Sequence, residues 1–290
     1  MKEILRLIRF NNWIKNFFIF IPIFFSSQLF DANKLLNTFI VFIGFCLITA
    51  FVYILNDIFD LKFDQTHPTK SKRPIALGTI SIKTGISIGL VFLLSGMTII
   101  YQISSSSLYL AVFYVILNLA YSLKLKHIGI IDFIIISFGF VIRILIGGEV
   151  GDIDLTQWIV IMVFLLSLFI AIAKRRDDVY AFENDKKINR KVVSQYSLSF
   201  IDKSITIISS ILIMSYILFI SSNDVILRYN NEYLYITFIP VLIGILRYNQ
   251  MVYVYKKGGD PINLLFKDKF IQFCVILWII IFALIIYNSI

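Results

Sequence analysis

The chain has 290 residues, 59% of them hydrophobic and only 16% charged, with a mean hydropathy of +0.86. A soluble domain of this length has no use for so much apolar surface, so the composition excludes one and predicts a polytopic membrane protein. The net charge of +9 would suit a nucleic-acid binder, but all 27 basic residues except Lys34, Lys83, Arg143, Arg228 and Arg247 lie in the N-terminal segment or in alternate loops. That is the positive-inside pattern, which places the N-terminus in the cytoplasm and the C-terminus outside.

Apolar runs predict nine spans in an all-α chain, at roughly 13–30, 36–58, 79–101, 107–124, 129–149, 155–174, 203–221, 232–255 and 269–289. No soluble domain fits between them, so residues 1–290 read as a single transmembrane domain. The first run has no small-residue cleavage site and reads as an anchor. Trp13 and Trp158 stand at span ends, where amphipathic rings are favoured.

After the second span comes NDIFDLKFDQTHPTKSKRP. Asp57, Asp60 and Asp64 follow at i, i+3, i+7, with Asn56 beside them. On one continuous helix these four share a sector of about 100°, so their oxygens would converge. Three crowded carboxylates repel unless a cation neutralises them. Oxygen-only ligands suit Mg²⁺ (with Mn²⁺ as substitute), which usually also holds substrate phosphates. The predicted metal ligands are Asn56, Asp57, Asp60 and Asp64, the first three also serving as catalytic residues. Lys62, Lys70, Lys72 and Arg73 then bring positive charge to phosphates at the same end. His67, just before Pro68, reads as a turn-shaping residue.

The fourth span ends in YSLKLKH, where Tyr121, Lys124 and Lys126 are candidates to position an anionic acceptor; His127 reads as interfacial. The fifth span carries Asp132 and Arg143, eleven residues apart, with Gly139 and Gly147 at i−4 and i+4 from the arginine. An arginine inside a span is costly unless it faces a bundle interior or wet cavity, so Arg143 is a candidate substrate-binding residue. The glycines form a small-residue face for another helix. After the sixth span, Lys174 to Tyr196 reads as a cytoplasmic loop rich in cations, of which Lys174, Arg175 and Arg190 are candidate phosphate ligands; Lys186, Lys187 and Lys191 would equally suit anionic lipid. Cys46 and Cys274 lie in apolar spans and imply neither a disulfide framework nor a metal site.

The NDxxDxxxD pattern at Asn56, Asp57, Asp60 and Asp64 resembles the first motif of the UbiA superfamily of intramembrane prenyltransferases. That resemblance implies about nine helices around a central cavity, with the active site facing the cytoplasm. NNWIKNFFIFIP, HPTKSKRPIALGTIS, YSLKLKHIGIIDF, GFVIRILIGG, AKRRDDV and GGDPINLLFKDKF further resemble its decaprenyl-phosphate phosphoribosyltransferase branch, in order and over nearly the whole chain. The branch implies Mg²⁺-dependent transfer of 5-phosphoribose from phosphoribosyl pyrophosphate to a polyprenyl phosphate, in cell-envelope biosynthesis.

One departure bears on the branch. Where aromatic prenyltransferases carry a second aspartate-rich motif, this chain has Lys174, Arg175, Arg176, Asp177 and Asp178. The excess of cations suits a donor with more phosphate. An aromatic or haem prenyltransferase using a prenyl diphosphate remains the alternative, kept open by Asp177 and Asp178. A transporter is a remote one.

Overall fold

A computed structural model describes residues 2–67, 69–185, 191–258 and 261–287. Every regular element among the described residues is helical: α1 (Lys2–Leu7), α2 (Ile21–Phe25), α3 (Ala32–Phe59), α4 (Leu61–Thr66), α5 (Ile82–Ile103), α6 (Ser105–Leu123), α7 (Ile131–Gly151), α8 (Gln157–Asp185), α9 (Leu198–Ile220), α10 (Asn223–Tyr229), α11 (Phe238–Tyr253), α12 (Pro261–Lys267) and α13 (Lys269–Tyr287), with short 3-10 stretches between them. Eight helical segments among the described residues are long and apolar enough to cross a membrane. The chain divides into two compact units, residues 1–155 and 156–290.

The predicted first span is built differently from the others. Phe10–Phe20 is a 3-10 helix that runs into α2. Eleven residues at the 3-10 rise cover roughly 22 Å, and the five of α2 add roughly 7 Å. Together they approach bilayer thickness without an 18-residue α-helix. Side chains at i and i+3 eclipse in a 3-10 helix, and Asn16 and Ile19 are accordingly its buried edge, continued in α2 by Pro22, Ile23 and Phe25.

That edge packs against α7. A Cβ on Gly147 would stand 2.0 Å from the Ile19 carbonyl oxygen. The small residue is therefore required at this crossing, as expected of one half of the predicted small-residue face. Gly139 does something else: its carbonyl accepts from Arg143 Nη1 at 2.5 Å. In the same unit α3 lies along α5, where a Cβ on Gly96 would meet the Gly44 carbonyl at 2.5 Å. Lipid supplies no hydrophobic drive between helices, so such close backbone approach is what holds them together.

Helix starts are set by polar side chains. Asp31 accepts from the amides of Asn33 and Lys34, Ser81 from Thr84 and Ser104 from Ser107. In the second unit Ser197 accepts from Phe200 and Asp268 from Ile271. Each satisfies an amide that apolar surroundings would leave stranded.

The second unit is tied by Arg176, which is buried. Its guanidinium donates to Asp202 of α9 (2.7 Å from Nε, 3.4 Å from Nη2) and to the Val252 carbonyl of α11 at 3.1 Å. Trp278 of α13 donates to the Tyr216 hydroxyl on α9, which donates to Thr237, both at 2.7 Å. The predicted loop from Lys174 is overturned over its first half. Helix α8 continues to Asp185, because Arg175 and Arg176 find carboxylates on Asp178 and Asp202 that let the helix carry them.

Gly147→Ala is expected to lower the thermal unfolding midpoint of the detergent-purified protein, at a cost of roughly 1–3 kcal/mol. Gly244→Ala, whose Cβ would make only an ordinary 3.5 Å contact with Cys274, is expected to be near neutral in the same assay.

Candidate active site

Helix α3 stops at Asp60, whose backbone (φ −92°, ψ 4°) leaves the α region before α4 restarts at Leu61. The four motif residues therefore do not share one straight face, and this changes their geometry. Asp57 and Asp64, 2% and 1% exposed, converge on a single atom: Arg73 Nη1 donates to Asp57 Oδ1 at 3.0 Å and to Asp64 Oδ2 at 2.5 Å. A second guanidinium, that of Arg9, also donates to Asp57 Oδ1. Asp60 is turned elsewhere and accepts from Lys126 Nζ at 2.5 Å. Asn56 Oδ1 accepts from the Ser122 hydroxyl at 3.3 Å.

Three carboxylates thus meet three cations, Arg9, Arg73 and Lys126, and the cluster is neutral. A buried carboxylate without such a partner would cost several kcal/mol in desolvation. Arg9 gains a further contact by lying over the Tyr53 ring, 5.0 Å from its centroid. It reaches both groups from a left-handed backbone conformation, φ 49° and ψ 52°.

The donor set fits an oxygen-ligated divalent cation at two of its four residues. Asp57 and Asp64 already bring oxygens to one positively charged atom, and Asp64 Oδ1 is buried with no hydrogen-bond partner. Asp60 does not join them, and no group of three or more His, Cys, Asp or Glu among the described residues is placed to hold a metal. His67 instead orders the following turn, its Nδ1 accepting from the amides of Thr69 and Lys70 at 3.2 and 3.3 Å.

Of the remaining predicted residues in the first unit, Lys70 lies over the Phe63 ring at 5.1 Å. Tyr121 and Lys124 stand at the end of α6, the lysine exposed. Arg143 does not pair with Asp132; eleven helical residues separate them by roughly 16 Å. It is 4% exposed and donates to Asn16 Oδ1 at 2.8 Å, to the Gly139 carbonyl and to the Tyr114 hydroxyl at 3.3 Å. Phe45, Tyr114 and Phe140 surround it at 5.0–5.3 Å. Arg143 is held by ring faces and neutral acceptors, and its hydrogen bonds link α7 to the N-terminal 3-10 helix and α6. Asn16 in turn donates to Thr49 and Cys46 on α3.

In the second unit Lys174 is exposed on α8, and buried Arg175 donates to Asp178 at 2.7 Å. Arg176 is the structural tie already described and is not available as a phosphate ligand. Arg190, with Lys186 and Lys187, lies outside the described residues. Another ion pair joins Arg247 to Asp268 at 2.8 Å, and the guanidinium holds the Asp268 carboxyl below the usual carboxylate range.

Arg9 and Asn16 are the residues that sequence reasoning missed. Arg9 read as one more topology-setting charge. The only signal for Asn16 was an amide side chain inside the first apolar run.

A family model for the UbiA prenyltransferase family matches residues 17–274. The decaprenyl-phosphate phosphoribosyltransferase of Mycolicibacterium smegmatis is 28% identical, over 95% of this chain and 90% of its own length. That of Corynebacterium glutamicum is 27% identical, over 98% and 86%. Among solved structures, a UbiA homolog from Archaeoglobus fulgidus bound to DMAPP and Mg²⁺ superposes with a TM-score of 0.73 at 18% identity, covering 99% of this chain and 98% of that one.

Removing Arg73 leaves Asp57 and Asp64 facing each other with less positive charge between them. Arg73→Ala is expected to lower the thermal midpoint, by less than the roughly 3–5 kcal/mol of a fully buried pair because Arg73 is 23% exposed. Adding Asp64→Asn to it is expected to recover part of the loss. A second expectation concerns pH. Because the folded-state pKa of Asp268 is depressed, its pairing stabilises fully above about pH 4 and the contribution is lost as pH falls through the folded-state value. Asp268→Asn is therefore expected to narrow its stability gap to wild type below pH 4.

Proposed function

The chain belongs to the UbiA prenyltransferase family, and we propose that within it the protein transfers 5-phosphoribose from phosphoribosyl pyrophosphate to a polyprenyl phosphate. It is a multi-pass membrane protein, proposed to keep its N-terminus and active site on the cytoplasmic side and its C-terminus outside. The observation that carries the catalytic reading is the convergence of buried Asp57 and Asp64 on one cationic nitrogen. The choice of donor and acceptor rests on the relatives' names, the motifs they share with this chain and the excess of cations after the sixth predicted span.

Asp57 and Asp64, with Asn56 and Asp60 adjacent, are the proposed holders of Mg²⁺. When bound, the ion would neutralise the diphosphate and favour its departure. Arg73 and Arg9 balance the carboxylates and are positioned to exchange toward donor phosphates; Lys70 adds charge beside them. An oxygen of the acceptor phosphate forms a bond to C1 of the ribose as the C1–O bond to diphosphate breaks, and the electron pair leaves with the diphosphate. The acceptor is already an anion, so no strong base is required. Lys126 serves Asp60, which leaves Tyr121 and Lys124 as acceptor-side candidates. Arg143 is proposed to act by fixing the N-terminal 3-10 helix, and through it the segment that carries Arg9. In the second unit Lys174 and Arg190 are proposed as further phosphate ligands, whereas Arg175 is already paired with Asp178.

Membranes incubated with radiolabelled phosphoribosyl pyrophosphate are expected to transfer label into organic-extractable lipid, with loss of transfer in excess chelator. Asp57→Ala and Asp64→Ala are expected to lower the rate on the order of 10²-fold or more while the protein stays folded. Efficient prenylation of 4-hydroxybenzoate from a prenyl diphosphate, without lipid-linked phosphoribose, would establish the aromatic branch instead.

A further inference from the structure

From Phe39 to its end at Asp60, α3 carries polar side chains along one stripe only. Cys46, Thr49, Tyr53, Asn56, Asp57 and Asp60 all fall within a sector of about 100° around the helix axis. The N-terminal segment meets this stripe along its length. Asn16 donates to Cys46 and Thr49, and Arg9 donates to Asp57. Between those contacts the Arg9 guanidinium lies over the Tyr53 ring. Asn56 and Asp60 are engaged by Ser122 and Lys126.

The Tyr53 hydroxyl is the exception. It makes no hydrogen bond among the described residues. Nor is it sealed in: the residue is half-buried, and the enclosed, unpartnered side-chain atoms described in this unit are Trp13 Nε1, Asp64 Oδ1 and Ser107 Oγ. A tyrosine hydroxyl within a folded interior ordinarily finds a partner, as Tyr114 does in Arg143. If the Tyr53 ring served only to carry Arg9, phenylalanine would do the same, and this chain uses phenylalanine 28 times. The oxygen is placed for a partner from outside the chain.

Position limits what that partner is. Tyr53 precedes Asp57 by four residues, so it stands about 6 Å further along α3 than the carboxylate. A diphosphate held at Asp57 and Asp64 lies against Arg9 and Arg73. One turn away, a side chain meets the group attached to the diphosphate more readily than the diphosphate itself. Arg143 and Arg9 are the cations whose charges act on the hydroxyl, and Arg143 is held by neutral acceptors. These surroundings suit a polar group. A prenyl chain has no atom to bond there, whereas a pentose has hydroxyls.

We propose that Tyr53 is a specificity residue of the donor site, its hydroxyl hydrogen-bonding a hydroxyl of the transferred pentose. The inference rests on the donor named under the proposed function and adds a residue that separates that donor from a prenyl diphosphate. A site that hydrogen-bonds a substrate hydroxyl rejects an analogue lacking it far more strongly than an apolar pocket rejects by size.

The test is equilibrium binding to the full chain in detergent micelles with Mg²⁺ present, comparing phosphoribosyl pyrophosphate, inorganic pyrophosphate and geranyl diphosphate. Tyr53→Phe keeps the ring under Arg9 and removes only an oxygen without a partner in the chain, so its thermal midpoint is expected to equal that of wild type. It is expected to weaken binding of phosphoribosyl pyrophosphate about tenfold, the worth of one hydrogen bond in a largely closed site. Affinity for inorganic pyrophosphate and geranyl diphosphate is expected to stay the same. Unchanged affinity for phosphoribosyl pyrophosphate in the variant would overturn the proposal. So would an equal loss for inorganic pyrophosphate, which would put the hydroxyl on the diphosphate. A lowered thermal midpoint would overturn it too, because the oxygen would then be bonded within the chain. Those three results leave the proposed reaction standing wherever the wild-type protein binds phosphoribosyl pyrophosphate. A wild-type protein that binds geranyl diphosphate and not phosphoribosyl pyrophosphate would defeat the donor reading, and this assignment with it.

Discussion

Three carboxylates around the junction of α3 and α4 must be matched by three positive charges, and the first unit is arranged around that requirement. Asp57 and Asp64 are buried, so neither can rely on water. Their cations come from far along the chain: Arg9 from before the 3-10 helix, Arg73 from beyond α4, and Lys126, on Asp60, from beyond α6. Neutralising the cluster therefore fixes three separate segments at once. The guanidinium that bridges two of them occupies the place that the proposed divalent cation would claim.

The N-terminal segment shows how the site depends on the rest of the unit. Arg143 anchors Asn16, Asn16 anchors to α3, and Gly147 lets Ile19 lie against α7. Arg9 sits one residue before that anchored helix. A buried arginine solvated by three aromatic rings and neutral oxygens is costly to assemble, and it persists here because it secures the segment that delivers a second arginine to Asp57.

Much of this was legible in the sequence. Apolar length identified most of the spans, and the spacing of Asp57, Asp60 and Asp64 pointed to the carboxylate cluster that is proposed as the site. Spacing could not reveal that α3 breaks at Asp60, nor that the Asp60 carboxylate is taken by Lys126, a partner 66 residues away. Nor could it reveal Arg9, whose role is set by tertiary placement. The cationic run after residue 173 misled in the opposite direction: charge suggested a solvated loop, yet Arg175 and Arg176 are buried and paired on a helix. Net charge along a sequence counts cations without telling which are already spent on carboxylates.

The central claim is that Asp57 and Asp64 form an exchangeable cation site and not a permanent salt bridge. Electron paramagnetic resonance of Mn²⁺ titrated into the purified full-length protein tests it without reference to turnover. The expected result is one protein-bound Mn²⁺ that is lost in Asp64→Asn and Asp57→Asn and bound more tightly in Arg9→Ala, where a competing guanidinium is gone. Absence of bound Mn²⁺ in the wild-type protein, or binding that survives both aspartate substitutions unchanged, would contradict it.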